Sequence, residues 1–220
     1  MPSAPPPLLH DHAPDFVTRT TWGELRLSSF RGRWLLFFSH PADFTPVCTS
    51  EFIAFASAYP EFRAAGCDLL ALSVDSLFSH LAWTRNIQQQ FGIQIPFPIA
   101  EDVGLQIARA YGMVHPSANS SATVRAAFVI DPRGVIRAIT WYPMTTGRSV
   151  SELLRLVRAL QATDEHDALT PANWNTGEPM LEAVVGTLAA AQNTAKQDGA
   201  ADWYYRAKVY KTNAPKVVGK

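Results

Sequence analysis

Apolar strands alternating with helical segments, followed by a β-hairpin and a further helix, predict an α/β fold. It has a mixed central sheet flanked by helices, plus a C-terminal extension. Three observations carry this. The runs Trp34–Phe38 and Asp68–Val74 are almost continuously apolar, as strands covered on both faces are. Helix starts and stops fall between them. Asp131-Pro132-Arg133-Gly134 is a tight turn joining two strand-like runs, so the sheet also holds an antiparallel pair. A chain of 220 residues suits one main domain, assigned to residues 1–168, and an extension over 169–220.

Taken in order, residues 16–30 carry turn and short-strand signals, including Gly23 and Leu25-Arg26-Leu27. The strand at 34–38 feeds a helix that contains Cys48, in which Pro60 predicts a kink or a restart. Gly66 ends that helix, and Asp68–Val74 forms the second strand. Asp75-Ser76 caps a helix running to about Phe91 and stopped by Gly92. A short strand near Phe97–Ile99 and a helix from about Val103 to Tyr111 follow. Residues 124–130 and 135–142 make the hairpin. Ser149-Val150-Ser151-Glu152 reads as a capping box for a helix with Leu153, Leu154, Val157 and Leu160 inward. From about Pro171 the pattern changes to one helix around 180–196 and a basic, irregular tail.

Composition narrows the function classes. Lys plus Arg and Asp plus Glu both total 19, so no field draws the chain to nucleic acid or an anionic membrane. No segment approaches the ~18 apolar residues of a membrane span, and the N-terminus lacks a basic n-region and an apolar h-region. Two cysteines, Cys48 and Cys67, are too few for a disulfide scaffold. A reducing cytoplasm is the expected compartment, with neither nucleic acid nor membrane as partner.

The segment Ser39-His40-Pro41-Ala42-Asp43-Phe44-Thr45-Pro46-Val47-Cys48-Thr49 carries the most chemistry. Thr45 suits an N-cap and Pro46 the first helical position, which puts Cys48 in the first turn. Free backbone N–H groups and the positive helix end favour a thiolate there, and the thiolate is the nucleophile. Thr45 can turn its hydroxyl toward the same pocket, and Pro41 can cover the sulfur rigidly without offering a backbone N–H. A fixed cation is missing locally.

Pro41-x-x-x-Thr45-x-x-Cys48 resembles the active-site signature of the peroxiredoxins, and the longer run from Ser39 to Thr49 is similar to their one-cysteine subfamily. The resemblance continues through Ala71–Ser76, His80-Leu81-x-Trp83, Pro96–Ile99, Arg125–Pro132 and Tyr142-Pro143-x-Thr145-Thr146-Gly147-Arg148, spanning roughly residues 14–160. It implies a thioredoxin-like fold and a thiol-dependent peroxidase that reduces hydrogen peroxide and organic hydroperoxides through a Cys48 sulfenic acid. With no resolving cysteine after Cys67, an external thiol or another small reductant regenerates the enzyme, and no cofactor is required.

The resemblance also implies roles. Arg125 lies beside the thiolate and helps hold the peroxide; alone it would be assigned to a surface ion pair, as would Arg148, which the family places near the site in support. Thr45 hydrogen-bonds the peroxide, or acts only as a cap. Pro41 shields the sulfur. His40 has two open readings, a satisfied histidine at a strand end or a residue beside the sulfur that orients substrate or assists proton transfer. Trp83 reads as packing. Cys67, at the start of a core strand, reads as structural.

Other readings carry less. A peroxide sensor or chaperone-like redox protein uses the same thiol with little turnover. Disulfide exchange wants Cys-x-x-Cys, but position 51 is Glu51. A cysteine protease needs a different Cys–His context, and the scattered histidines show no metal spacing. Arg33 stands where lipase-like members of the subfamily carry a serine, so no phospholipase activity is expected. The resemblance implies a homodimer joined edge to edge near residues 135–142. The tail would then lie on or near the partner, with Trp203-Tyr204-Tyr205 open to two readings, an anchor on the partner or a contact within its own chain.

Overall fold

The computed structural model describes residues 5–114, 119–194 and 200–210. The chain divides into two units, the first ending at Val150. In the first, β1 (Val17–Thr20), β2 (Gly23–Arg26), β3 (Trp34–Ser39), β4 (Cys67–Ser73), β5 (Ile99–Glu101), β6 (Arg125–Ile130) and β7 (Ile136–Tyr142) form one sheet in the order β2-β1-β5-β4-β3-β6-β7. β3, β4 and β5 are parallel, linked through α1 (Pro46–Ala64) and α2 (Leu77–Phe91); β6 and β7 are antiparallel. Central strands β3, β4 and β6 are buried at every position, which is why their sequences are apolar runs without alternation.

The sheet's two faces are sorted by residue parity. Leu35 and Phe37 of β3 join Phe128 and Ile130 of β6 in one core, where Tyr111 meets Phe37 edge-on at 5.0 Å between ring centroids. Phe38 turns the other way, stacking on Phe55 of α1 at 4.3 Å and meeting Phe52 edge-on at 5.9 Å. Burying each such ring contributes roughly 1.5–3 kcal/mol. This second face positions the site, because α1 lies along it.

Local differences from the sequence reading have physical causes. α1 runs unbroken through Pro60. Pro60 is exposed and near the end of the helix, so the missing N–H leaves a carbonyl that water can reach. β5 starts at Ile99, since Phe97 is drawn into the core against Phe38, Phe52 and Phe55. α3 (Gln106–Ala110) begins late: Leu105 takes φ +58°, and the Asp102 carboxylate accepts from the N–H groups of Ile107 and Ala108. α2 is capped as expected, with Ser76 Oγ accepting from Ser79 N and Gly92 in the left-handed region at φ +70°.

The second unit holds α4 (Val150–His166), β8 (Met180–Leu181), α5 (Leu188–Thr194), β9 (Ala200–Asp202) and β10 (Tyr205–Lys208). Along α4, Leu153, Leu154 and Val157 are buried and Leu160 is half-buried. Ala159, Ala168, Trp174 and Met180 form a small core. The helix expected at 180–196 is confined to Leu188–Thr194, because Met180 and Leu181 pair with Lys208 and Ala207. Strand pairing likewise replaces the expected irregular tail up to Lys208, in a three-stranded sheet β8-β10-β9. The tail beyond 210 and the helix residues 195–196 lie outside the described residues.

Candidate active site

The topology delivers the chemistry to one end of the sheet. β3 ends at Ser39, the loop 40–45 follows, and α1 starts at Pro46. Thr45 occupies the N-cap position with an extended backbone, but its side chain makes no capping bond; the hydroxyl donates instead to the Ala42 carbonyl at 2.8 Å. That donor is spent inside the loop, leaving the oxygen lone pairs as acceptors. The first backbone bond of α1 runs from Thr49 N to Thr45 O at 2.9 Å, and Pro46 has no N–H. The N–H groups of Val47 and Cys48 therefore face the helix N-terminus without a carbonyl one turn back. Cys48 and Pro41 are buried, while Phe44 is exposed at φ +55°, a left-handed conformation that an L side chain adopts at a cost.

The cation absent from the local sequence arrives from β6. Phe38 pairs with Ala127, so Arg125 shares the face of β6 that α1 covers. Its Nη1 donates to Cys48 Sγ at 3.3 Å and to Glu51 Oε2 at 2.8 Å; Nε and Nη2 donate to the Met144 carbonyl at 3.0 and 2.7 Å. Arg148 closes the array. Its backbone N and Nε donate to Glu51 Oε1 and its Nη2 to Glu51 Oε2, each at 2.8 Å, while Nη1 donates to the Ala126 carbonyl at 2.9 Å. The Arg148 guanidinium also lies 5.1 Å from the centre of the Phe38 ring.

Glu51 sits one turn from Cys48 on the same helical face and is buried. Burial pushes its carboxyl up, but the hydrogen bonds and charge of Arg148, with the charge of Arg125, hold it below the ordinary range. Two buried guanidinium groups thus share one carboxylate, and one positive charge remains facing the sulfur.

His40 is held by the acid of its own loop. Its Nε2 is 2.9 Å from Asp43 Oδ1, its ring packs on Phe52 and Trp83 at centroid distances of 4.8 and 5.2 Å, and its Nδ1 is buried without a hydrogen-bond partner among the described residues. It makes no hydrogen bond to Cys48. His80 Nδ1 takes the other Asp43 oxygen at 2.8 Å. Among the described residues, His40, Asp43 and His80 are the group whose ligand atoms lie close enough together to consider for a metal. Both Asp43 oxygens there already lie within hydrogen-bond distance of an imidazole nitrogen.

Comparisons with known proteins then decide the family. The profile of the AhpC/TSA family matches residues 9–139, and that of the C-terminal domain of 1-Cys peroxiredoxin matches 159–185. The chain is 46% identical over 194 residues to peroxiredoxin 2 of Thermoplasma acidophilum, covering 88% of this chain and 96% of that protein. It is 46% identical over 210 residues to a peroxiredoxin of Aquifex aeolicus, covering 90% and 95%. A yeast mitochondrial 1-Cys peroxiredoxin superposes with a TM-score of 0.82 at 36% identity, over 92% of this chain and 99% of that one. The chain is a peroxiredoxin.

This peroxiredoxin is a thiol-dependent peroxidase of the one-cysteine type, built on the thioredoxin-like fold. The residues expected at its site divide into two sets. Cys48 and Arg125 meet directly and Arg148 joins them through Glu51, with Pro41 and Thr45 in the adjoining loop; His40 is held by Asp43. Glu51 is the residue the sequence reading missed. An acid three positions after a buried cysteine, amid Phe52 and Phe55, was the available signal, since a buried acid needs a cationic partner. Cys67 is buried in β4, and burial pushes its thiol well above the ordinary range. Arg33 pairs with Asp68 at 2.9 Å.

Proposed function

We propose that Cys48 is the peroxidatic thiol. The Cys48 thiolate attacks the terminal oxygen of a hydroperoxide; the S–O bond forms as the O–O bond breaks, and sulfur is oxidised to a sulfenic acid. The alkoxide or hydroxide leaves and takes up a proton to give alcohol or water. Arg125 supplies the fixed charge for this step: of its five N–H bonds, four point at Cys48, Glu51 and Met144. The remaining Nη2 hydrogen serves the peroxide oxygens as charge develops. Thr45 Oγ1 accepts the peroxide O–H, since its own proton is committed to Ala42. Pro41 covers the sulfur, and Arg148 acts through Glu51.

An external thiol then attacks the sulfenic sulfur, releasing water, and a second thiol liberates Cys48 as the disulfide leaves. Resolution of the yeast relative through glutathione and thioredoxin systems supports such a reductant. Cys48 has no exposed surface, so the strained loop at Phe44 must yield before a bulky thiol can enter. Hydrogen peroxide and organic hydroperoxides are the substrates, and the cytoplasm is the compartment. The residue 1–168 domain carries the chemistry. A homodimer forms along β7, which ends the sheet with no further strand among the described residues. The 169–220 extension packs on the partner through Trp203, Tyr204 and Tyr205, all exposed.

The carrying observation is the 3.3 Å approach of Arg125 Nη1 to Cys48 Sγ. Stopped-flow oxidation of the reduced protein by hydrogen peroxide tests it. Fast oxidation retained in Cys67→Ser and lost in Cys48→Ser is expected; oxidation of the wild type no faster than a free thiol sinks the assignment. Sedimentation of the full chain as a monomer at micromolar concentration would remove the dimer.

A further inference from the structure

Asp43 is a buried carboxylate gripped from both sides. His40 Nε2 meets Oδ1 at 2.9 Å and His80 Nδ1 meets Oδ2 at 2.8 Å, with both imidazoles fully buried. The backbone of the same residues is tied as firmly: Asp43 N donates to Asp75 Oδ2 at 2.7 Å, His40 N to the Leu72 carbonyl at 2.9 Å, and Thr123 Oγ1 to the His40 carbonyl at 2.9 Å. The segment thus pinned contains Pro41 and leads into Thr45. The His40 ring packs on Phe52, one helical turn from Cys48 on the same face of α1.

The hydrogen-bond inventory fixes the protons. An ionised carboxylate accepts only, so each histidine must donate to it: His40 from Nε2 and His80 from Nδ1. Burial opposes the charged carboxylate, but the two imidazole hydrogen bonds hold the Asp43 carboxyl well below its ordinary range. A second proton on His40 would sit on Nδ1, a buried donor without an acceptor among the described residues, and burial lowers the pKa of His40. The neutral ring with a bare Nδ1 is the state these contacts select.

We infer that Asp43, braced by His80, is a positioning residue that locks His40 in the Nε2–H tautomer, with Nδ1 as a lone-pair acceptor, and holds the Pro41–Thr45 loop over the sulfur. His40 then donates no proton to the leaving oxygen; its free nitrogen can only accept. Asp43 and His80 touch neither peroxide nor sulfur, and they act through His40 and the loop. The inference rests on the reading of Cys48 as the peroxidatic thiol for its effect on rate, though not for the tautomer itself.

Nitrogen-15 spectra of the imidazoles in the reduced, full-length protein at pH 7 test the tautomer without any substitution. His40 is expected as pure Nε2–H; an Nδ1–H form, a mixture or an imidazolium overturns the proposal, whatever Cys48 does. Three variants test the consequence. His80→Leu removes the donor and should slow Cys48 oxidation about tenfold or more and release the His40 tautomer. His80→Asn carries an amide N–H where Nδ1 stood and should recover most of that loss. Asp43→Asn offers one acceptor and one donor, so one imidazole must change tautomer. An unchanged tautomer and rate in His80→Leu, or no recovery in His80→Asn, would show that His80 only fills space. Loss of peroxide reactivity at Cys48 in the wild type, with the tautomer intact, would overturn the Cys48 assignment and the rate effect while leaving the hydrogen-bond geometry standing.

Discussion

Glu51 and Arg148 meet through three hydrogen bonds of 2.8 Å although ninety-seven positions separate them in the chain. Two come from the guanidinium and one from the Arg148 backbone, so the contact fixes the end of the 143–149 connection as well as the side chain. Glu51 also holds Arg125 at 2.8 Å, and Arg125 in turn faces Cys48. The carboxylate is therefore the joint between the two cations, and it links Arg148 to the sulfur's partner Arg125 although Arg148 itself has no hydrogen bond to the sulfur.

Removing that joint should be costly twice. Glu51→Ala leaves two buried guanidinium groups without their anion, and a loss of about 3–5 kcal/mol in unfolding free energy is expected. Glu51→Gln keeps the shape but allows Arg125 to shift, so Cys48 oxidation should slow while the fold survives. Urea unfolding and stopped-flow oxidation of the two variants check this. Wild-type stability in Glu51→Ala would mean the array is solvated.

Arg125→Lys retains charge but cannot make four directed hydrogen bonds to three partners. Peroxide oxidation should fall by roughly 10²-fold or more, as for loss of a preorganised donor at developing charge. A rate within a factor of about two of wild type would reduce Arg125 to a point charge.

Thr45 caps α1 by position but without its side chain. Thr45→Ala should therefore cost less stability than the ~1 kcal/mol of a lost side-chain cap, while slowing oxidation by removing the acceptor. Thr45→Ser should restore the rate. Equal losses of stability and rate in both variants would contradict the division.

Acid should unfold the protein in two stages. His40 is buried and its pKa is lowered from an ordinary 6.5, so the unfolded chain binds a proton there first as pH falls, and stability declines from about pH 6.5 downward. Glu51 is held below its ordinary 4.5 and Asp43 below 3.8; their contributions are complete above those values and are lost as pH falls through them toward the folded values. The urea midpoint measured from pH 8 to pH 3 should follow this course, and His40→Gln should flatten the upper stage. A midpoint that rises between pH 6.5 and 5 would mean His40 is charged in the fold.

Much of this was legible in the chain. Fully buried strands announce themselves as apolar runs, and the capping residues Ser76 and Gly92 end α2 where their chemistry requires. Cys48, Thr45 and Pro41 could be read because one loop and one helical turn hold them. The Arg125 and Arg148 contacts to that turn depend on strand parity and on a connection 97 residues away, which no local pattern encodes. Only a family resemblance named those arginines, and it left Glu51 and the Asp43–His80 pair unseen. Strand pairing at Met180–Leu181 overrode helix propensity for the same reason: the partner, Ala207–Lys208, is distant in sequence.

The most direct test of the central claim is mass spectrometry of the reduced protein after one equivalent of hydrogen peroxide, with a sulfenic-acid trap present. Trap on the Cys48 peptide alone, with Cys67 unmodified, is the predicted result. Trap on Cys67, or a Cys48–Cys67 disulfide, would contradict a one-cysteine mechanism centred on Cys48.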